Sequence, residues 1–424
     1  MAPAPARANL PQRAVDVAIV GGGAAGIAAA RSLVRAGFST LIVEASSRIG
    51  GRCVSDRVTF ETAIDTGAHW LHGGENNPLA KLGRDLGFDI HEEEEEDGLY
   101  IGNRRASDAE WEAYDRAVDE AEQAIVRHGW RPEDASALQG LPRDLGDWRA
   151  SVVFRLGAYE YGKPLGEISS WDFARAQQGK DLICRQGFGT LLRATARGLP
   201  VAVGAPVAAI SVSGDEVRVV TGQGTLRARA AIVTVSIGVL ATGRLRFDPG
   251  LPEAISVAIE SLGMGSNLRV MLELPGEHPD FGTDNAFFAR SDGDRAFGGV
   301  ARVAGTDVWY VDTGGGFARD LEAAGDAAAV EAAVDWLAGC LGGAIPRRGP
   351  RTLVSRWGRS ETTRGSISVA APGRANQRQA FRAPHADRIL FAGEHRHDTL
   401  WGTVAGAWET GEIAAQQAIE ILRR

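Results

Sequence analysis

The chain has 424 residues, of which 44% are hydrophobic and 24% are charged; this length predicts two domains and this composition is typical of soluble globular proteins. The formal net charge of −8, without a basic stripe, argues against a nucleic-acid partner. Cys53, Cys184 and Cys340 are too few for a disulfide framework, and no apolar stretch of about 18 residues could cross a membrane. We therefore expect a cytoplasmic protein.

The chain opens with the pattern of a βαβ unit. A β-branched apolar run at residues 15–20 predicts a buried strand, a helical stretch follows at 27–36, and Gly37 is a typical helix stop. A second strand is predicted at 39–43 and ends at Glu44. This order is typical of the first unit of a parallel sheet.

The remaining elements alternate between helical and strand-like segments. Ser107 and Glu110 form a capping-box pattern ahead of an amphipathic helix, and we expect helices throughout residues 77–182. The further predicted elements are short strands at 201–203, 207–211, 217–220 and 230–235, strands within 268–312, a helix at 326–341, a strand at 388–392 and a closing helix at 404–421.

These elements predict an α/β fold in which the chain crosses several times between two domains. A Rossmann-like domain would comprise residues 10–76, 183–252 and 352–424. An inserted domain of α+β type would comprise residues 77–182 and 253–351. We expect a binding site at the boundary between the two domains.

A glycine-rich turn follows the first strand. Gly21, Gly23 and Gly26 stand in a Gly-x-Gly-x-x-Gly pattern between a strand and a helix, and Glu44 follows at the end of the next strand. Gly21 would permit the tight turn, Gly23 would let the backbone approach a pyrophosphate, and Gly26 would let helix and strand pack closely. The free N–H groups of the helix would face the phosphates, and Glu44 would accept hydrogen bonds from a ribose. The pattern predicts a dinucleotide site.

Four further segments carry a resemblance to a known family. They are Glu44-Ala45-Ser-Ser-Arg48-Ile-Gly50-Gly51-Arg52, Asp65-Thr-Gly67-Ala68-His69-Trp70-Leu-His72-Gly73, the stretch 233–252 with its Ser-Ile-Gly and Phe-Asp-Pro strings, and the C-terminal pair Phe391-Ala392-Gly393-Glu394 and Gly402-Thr403-Val404-Ala-Gly406. In this order the segments resemble the flavin amine oxidase family, which includes monoamine oxidases, polyamine oxidases and lysine-specific histone demethylases. The second domain matches only loosely.

The resemblance implies an FAD-binding domain of the GR2 type. Matching positions imply cofactor contacts from Gly21, Gly23, Ala25, Gly26, Glu44, Ala45, Arg48, Gly50, Gly51, Arg52, Gly67, Ala68, His69, Trp70, Val207, Gly393, Glu394, Gly402, Thr403 and Val404. Glu394 would contact the ribityl or pyrophosphate region, Val207 the adenine, and the start of the last helix the flavin N1–C2=O edge. Monoamine oxidases attach FAD through a cysteine; residues 365–368 here contain serines instead, so we expect non-covalent FAD.

The family's chemistry is hydride transfer from the carbon next to an amine nitrogen to flavin N5, followed by imine hydrolysis and reoxidation by O2. Two positions depart from the pattern. Ile367 and Thr403 occupy the positions of the two tyrosines that flank the amine in monoamine oxidases, which favours the polyamine oxidase and demethylase branches. Arg269 occupies the position of the lysine that holds a water at flavin N5, which leaves open a dehydrogenase with another electron acceptor.

Several side chains are candidates for the substrate side of the site. His72 matches a substrate-facing histidine of animal polyamine oxidases and could hold or deprotonate an ammonium group; a structural role beside the flavin is the alternative. We expect His69 to be mainly structural, Trp401 to form a wall near the flavin, and Trp408 to lie in the core. The spacing of His395, His397 and Asp398 does not favour a metal site.

Two questions stay open at this level. The acidic run at residues 92–97 is interpreted as a solvated loop, with an acidic rim that attracts cationic substrates as the alternative. The fold alone does not fix the reaction. A carbon–carbon desaturase and a flavin-bearing protein without turnover therefore remain rival hypotheses to an amine oxidase. The sequence does not determine the amine, the acceptor or the oligomeric state.

Overall fold

The computed structural model describes residues 14–92, 98–177, 179–276, 281–342 and 351–424. In chain order its strands are β1 (Val15–Val20), β2 (Thr40–Val43), β3 (Ser55–Asp56), β4 (Ile64–Asp65), β5 (Trp70–Leu71), β6 (Ile90–Glu92), β7 (Gly98–Ile101), β8 (Arg104–Arg105), β9 (Leu182–Cys184), β10 (Val201–Ala202), β11 (Val207–Ser213), β12 (Glu216–Thr221), β13 (Gly224–Val233), β14 (Arg246–Asp248), β15 (Leu262–Met264), β16 (Asn267–Glu273), β17 (Asn285–Ala289), β18 (Gly298–Ala301), β19 (Val308–Gly314), β20 (Thr352–Val354), β21 (Ser368–Ala370) and β22 (Ile389–Phe391).

The α-helices are α1 (Ala24–Arg35), α2 (Pro78–Asp85), α3 (Asp108–Gly129), α4 (Ala137–Gly140), α5 (Arg149–Val153), α6 (Ser170–Arg175), α7 (Phe188–Thr195), α8 (Ile237–Leu240), α9 (Glu253–Ser261), α10 (Gly315–Ala324), α11 (Asp326–Leu341) and α12 (Val404–Arg423). A π-helical segment, Phe154–Tyr159, continues α5. None of the described helices is long and apolar enough to span a bilayer.

The first sheet has the strand order β10-β2-β1-β13-β12-β11-β14, and β22 also pairs with β13. Strands β10, β2, β1, β13 and β22 run parallel, because β1 pairs in parallel with both β2 and β13 and β13 pairs in parallel with β22. Helices α1 and α12 cover one face, and their apolar side chains form one core with β1, β2, β13 and β22. Gly411 allows the two helices to approach closely, since a Cβ there would lie 2.2 Å from the Ala25 carbonyl oxygen.

The second sheet has the strand order β20-β16-β19-β18-β17-β7-β8. Its pairs are antiparallel except for β17 with β7. Helices α10 and α11 pack on one face over an aromatic core that includes Phe287, Trp309 and Phe317. The predicted α/β fold is thus confirmed, with a first sheet that is parallel in β10, β2, β1, β13 and β22 and antiparallel where β12 pairs with β13 and β11.

Some of the predicted elements need correction. The stretch 77–182, expected to be helical, also contains β6, β7 and β8, and β7 joins the second sheet at its edge. Helix α10 was missed; it lies between the expected strands and the expected helix at 326–341, and it begins at Gly315 with a second glycine at 316, which weakens a helical pattern. β20 lies in the segment 352–424 but pairs with β16 of the second sheet. This pairing favours a domain boundary after Val354, and the domain division itself stays a prediction.

Candidate active site

The glycine turn closes the end of β1 onto the start of α1. Gly21 has φ +110, which favours glycine, and a Cβ on Gly26 would lie 2.0 Å from the Gly21 carbonyl oxygen. Gly23 is the N-cap residue of α1, and a Cβ there would meet no described atom nearer than Gly51 Cα, at 3.9 Å. No described side chain caps α1. The first N–H groups of the helix are therefore available to an anion.

Glu44 lies buried at the end of β2 and supports this turn. Its Oε2 accepts the Gly22 N–H at 2.6 Å and its Oε1 accepts the Ser46 N–H at 2.7 Å. Each carboxylate oxygen keeps a second lone pair. Glu44 can therefore hold the turn and still accept a hydrogen bond from a ribose hydroxyl.

A cavity of about 650 Å³ extends from this turn to the second sheet. Its volume is in the range of small-molecule and cofactor sites. Most of the residues expected at the cofactor line it: Gly21, Gly23, Ala25, Glu44, Ala45, Arg48, Gly50, Gly51, Arg52, Gly67, Ala68, His69, Trp70, Val207, Gly393, Glu394, Gly402, Thr403 and Val404. His72 and Arg269 line it as well. Gly26 does not, because it faces the Gly21 carbonyl, where it permits close packing of helix and strand.

The start of α12 forms another part of the cavity wall. Thr403 is its N-cap residue, and the Thr403 hydroxyl accepts the Gly406 N–H at 3.0 Å. Val404, the first helical residue, also lines the cavity. The positive end of a 20-residue helix thus faces the cavity, and negative charge is stabilised there.

Glu394 links three segments behind this wall. Its carboxylate accepts hydrogen bonds from Arg52 Nη1 at 2.9 Å, from the Ser368 hydroxyl at 2.5 Å and from the Gly402 N–H at 3.1 Å. Burial alone would raise the pKa of Glu394, but the Arg52 charge and these hydrogen bonds outweigh it and lower the pKa to about 2. The carboxylate is therefore ionised and orders the wall.

Arg269 is buried at the junction of β16 and the cavity. It forms a bidentate ion pair with Asp312 and donates from Nη1 to the carbonyl oxygens of Asp65, at 2.9 Å, and Gly67, at 3.1 Å. Its guanidinium carbon lies 3.8 Å from the Tyr310 ring centre. Burial would lower the pKa of Arg269, but Asp312 and Tyr310 more than compensate and raise it. Arg269 is thus a fixed cation whose charge is paired.

The cavity wall also carries a histidine and two carboxylates. His72 Nδ1 lies 2.9 Å from Asp181 Oδ1 and 3.0 Å from Oδ2. Strand pairing explains the contact: Leu71 of β5 is opposite Leu182 of β9, so His72 and Asp181 are the next cross-strand pair.

The second carboxylate, Glu160, follows the π-helical segment directly, and the segment itself supplies two neighbouring side chains. Arg155, Tyr159 and Glu160 all line the cavity, and the Glu160 N–H bonds to the Arg155 carbonyl across the wide turn. Glu160 is open to the cavity but enclosed by protein, and burial raises its pKa although His72 partly opposes the shift. Sequence reasoning missed Glu160 and Asp181. A carboxylate between two aromatic residues was a signal for Glu160, whereas nothing local marks Asp181.

The expected position of Trp401 was wrong. Its side chain does not line the cavity; it is buried, donates from Nε1 to the Asp172 carbonyl at 3.2 Å and packs against Tyr161. Ile367 and Thr403, which were expected to stand where monoamine oxidases have two tyrosines, line the cavity. Trp408 lies in the core, as expected.

The remaining predicted features are His69, the possible metal ligands near His395 and the acidic run at residues 92–97. His69 is buried beside Asp65, with 3.3 Å between Nδ1 and Oδ2, and packs edge-on against Trp70 and Tyr310. Within the described ranges no group of three or more His, Cys, Asp or Glu residues could hold a metal. Residues 93–97 of the acidic run lie outside the described part of the chain.

The residues lining the cavity fit FAD. A glycine turn with available helix N–H groups, the Glu44 carboxylate, which could accept from a ribose, and a second helix N-terminus all line one continuous space, as an extended dinucleotide requires. Gly23 and Gly51 line this space and face each other, since a Cβ on Gly51 would lie 3.2 Å from Gly23 Cα.

The fold is shared with solved amine oxidase structures. Putrescine oxidase with bound putrescine superposes with a TM-score of 0.80 at 21% identity, covering 98% of this chain and 100% of that one. Cyclohexylamine oxidase from Brevibacterium oxydans IH-35A gives a TM-score of 0.78 at 21% identity, covering 97% and 100%.

Sequence comparison gives the family. Polyamine oxidase 2 of Arabidopsis thaliana is 29% identical over 449 residues, covering 97% of this chain and 90% of that protein. A lysine-specific histone demethylase 1 homologue of Oryza sativa subsp. japonica is 28% identical, covering 96% of this chain and 53% of that protein. The family profile described as flavin containing amine oxidoreductase matches residues 24–132 and 94–419. The chain is therefore a member of the flavin-containing amine oxidoreductase family.

Proposed function

We propose that this FAD-dependent amine oxidase acts on polyamines or diamines. The observation that carries the proposal is the continuous cavity that joins the glycine turn at Gly21 to the carboxylate of Glu160. An amine at the cofactor end of this space has room for a chain that reaches a second negative charge. The names of the similar proteins, a polyamine oxidase and a putrescine-bound oxidase, support the same substrate class.

The cofactor would be held by main-chain groups and a few charged side chains. The N–H groups at the start of α1 would bind the pyrophosphate, Glu44 the ribose, and Val207 the adenine through its backbone. Arg48 and Arg52 would supply positive charge beside the phosphates. The N-terminus of α12 would face the flavin ring. Bound FAD supplies the hydride acceptor.

We propose that the cofactor is not covalently attached. Serines stand at 366 and 368, and Cys53 is the one cysteine among the described lining residues. Burial raises the pKa of the Cys53 thiol well above its usual value, so the thiol stays protonated and unreactive. All three cysteines are free and buried, which supports a cytoplasmic location.

The second sheet and the π-helical segment would position the substrate. Tyr159 and Phe288 form an apolar wall that would keep water from the reacting carbon, and Glu160 would pair with a distal ammonium group. His72 would hold or deprotonate the reacting amine, which must be neutral to lose a hydride. Ile367 and Thr403 would leave more width beside the amine than a pair of tyrosines.

The test is anaerobic reduction of the purified flavoprotein by spermidine, spermine, putrescine, N-acetylated polyamines and aromatic monoamines. We expect the oxidised-flavin absorbance to be lost with polyamines or putrescine and to recover in air. Reduction only by the aromatic monoamines would contradict the substrate class. Reduction without recovery in air would indicate a dehydrogenase and direct attention to Arg269. Absence of reduction by every amine would contradict amine oxidation and favour the desaturase or the protein without turnover.

A further inference from the structure

The pairing of β5 with β9 builds a histidine–carboxylate dyad at the cavity. Both Asp181 oxygens lie within 3.0 Å of His72 Nδ1, and the His72 carbonyl accepts the Asn77 side-chain N–H at 2.9 Å. Backbone and ring are thus both fixed. The His72 side chain is 39% exposed and the Asp181 side chain 29% exposed, and both line the cavity.

The contact fixes the chemistry of the imidazole. Because Nδ1 faces a carboxylate, it carries the hydrogen, and the lone pair of the neutral ring lies on Nε2. Two carboxylates act on the ring: Asp181 across the strand pair and Glu160 directly after the π-helical segment. Both negative charges stabilise the imidazolium, and Asp181 is the one in direct contact.

We propose that Asp181 is a positioning residue that orients His72 so that Nε2 takes a proton from the incoming ammonium group. In this step an ammonium N–H bond breaks, its electron pair stays on nitrogen, and an Nε2–H bond forms. The product is the neutral amine that hydride transfer requires, beside an imidazolium paired with Asp181. The imidazolium returns this proton to water before the next turnover. This inference rests on the proposed amine oxidation.

The chain offers a matched control on the same small sheet. His91 of β6 lies beside Asp89, with 3.5 Å between Nδ1 and Oδ1, and neither residue lines the cavity. Asp89→Asn therefore removes a carboxylate from a histidine without touching the site. Asp181→Glu keeps the charge and tests whether any effect of Asp181→Asn is only a loss of packing.

The experiment measures the rate constant of anaerobic flavin reduction by spermidine or putrescine against pH in the wild-type holoenzyme and in each variant. The wild-type rate should rise with pH as His72 becomes neutral. Asp181→Asn should shift this rise to lower pH by about one unit and lower the plateau, because the neutral ring loses a stabiliser of its protonated form. Asp181→Glu should restore most of the pH dependence and most of the plateau rate, and Asp89→Asn should match the wild type.

A second readout does not depend on turnover. Titration of ¹⁵N-labelled histidine side chains by NMR, with the His72 signal assigned from His72→Gln, should show a lower His72 pKa in Asp181→Asn and no change in Asp89→Asn. An unchanged His72 pKa, or a pH profile of Asp181→Asn identical to the wild type, would overturn the inference. So would a rise with pH that persists in His72→Gln. If no amine reduces the wild-type flavin, the proposed function fails, and with it the role of the dyad as proton acceptor.

Discussion

The guanidinium of Arg269 meets the carboxylate of Asp312 through two hydrogen bonds, 2.8 Å from Nε to Oδ1 and 2.6 Å from Nη2 to Oδ2. The side chains are only 8% and 14% exposed. Removing the cation leaves a buried carboxylate without its partner, so Arg269→Met should lower the free energy of unfolding by about 3–5 kcal/mol. Urea denaturation followed by circular dichroism measures the free energy of unfolding of the variant and of the wild type.

An exposed pair in α2 is the control. Lys81 Nζ lies 2.8 Å from Asp85 Oδ2, and the two side chains are 82% and 60% exposed. Lys81→Met should cost less than about 1 kcal/mol, because exposed pairs contribute little. Equal losses for the two variants would contradict a special role for the buried pair.

Two glycines of the first turn should respond in opposite ways to alanine. Gly23→Ala places a methyl group in ordinary contact with Gly51 Cα, at 3.9 Å, so the protein should fold but bind FAD roughly 10- to 100-fold more weakly, since at least one charge-assisted hydrogen bond is disturbed. Gly26→Ala places its methyl group against the Gly21 carbonyl and should destabilise the fold itself. FAD titration by fluorescence and thermal unfolding separate these effects. Gly222→Ala, with no described atom within 4 Å of its Cβ, should change neither.

Glu160 should distinguish diamines from monoamines. Glu160→Gln removes the negative charge proposed to meet the distal ammonium, so the dissociation constant for putrescine or spermidine should rise roughly 10- to 100-fold while that of a monoamine hardly changes. The concentration dependence of flavin reduction gives both constants. Glu167→Gln, an exposed position that does not line the cavity, is the control. An equal loss for monoamines would assign Glu160 to folding or to the reacting amine.

Stability should fall in two steps as the pH is lowered. His395 is buried and its pKa is lowered to about 4 from an ordinary 6.5, chiefly by burial, so stability present above pH 6.5 is lost as the pH falls towards 4. Glu394, with its pKa lowered to about 2 from 4.5, contributes stability that is lost between pH 4.5 and 2. Denaturant unfolding at a series of pH values checks this. His395→Leu should flatten the first step and Glu394→Gln the second.

Much of the fold could be predicted from local patterns. Three local patterns each identify an element and its environment without reference to distant residues: the apolar run of β1, the glycine turn after it and the regularly spaced apolar residues of α12. The same holds for the capping box of Ser107 and Glu110, which the structure forms as predicted. These elements are determined by residues within a few positions of each other, so the sequence pattern alone is enough to predict them.

The substrate end depends on relationships that local patterns do not carry. Asp181 and His72 are 109 positions apart in the chain. They meet only because the very short strands β5 and β9 pair in one particular register. Glu160 reaches the cavity because the helix widens into a π turn just before it. Trp401 was misplaced for the same reason: an aromatic residue beside the flavin motif is equally compatible with a cavity wall and with the core.

The order of the strands in the first sheet affects how the protein is made. Val15 pairs with Ala228 in β13, and α1 is covered by α12, the last described helix. During synthesis the alanine-rich face of α1 therefore stays uncovered until almost the whole chain has been made and α12 has left the ribosome. The cofactor cavity is completed at the same late moment, because residues 393–404 form one of its walls. FAD uptake is thus a late event, and a fragment truncated before α12 would expose an uncovered sheet and aggregate.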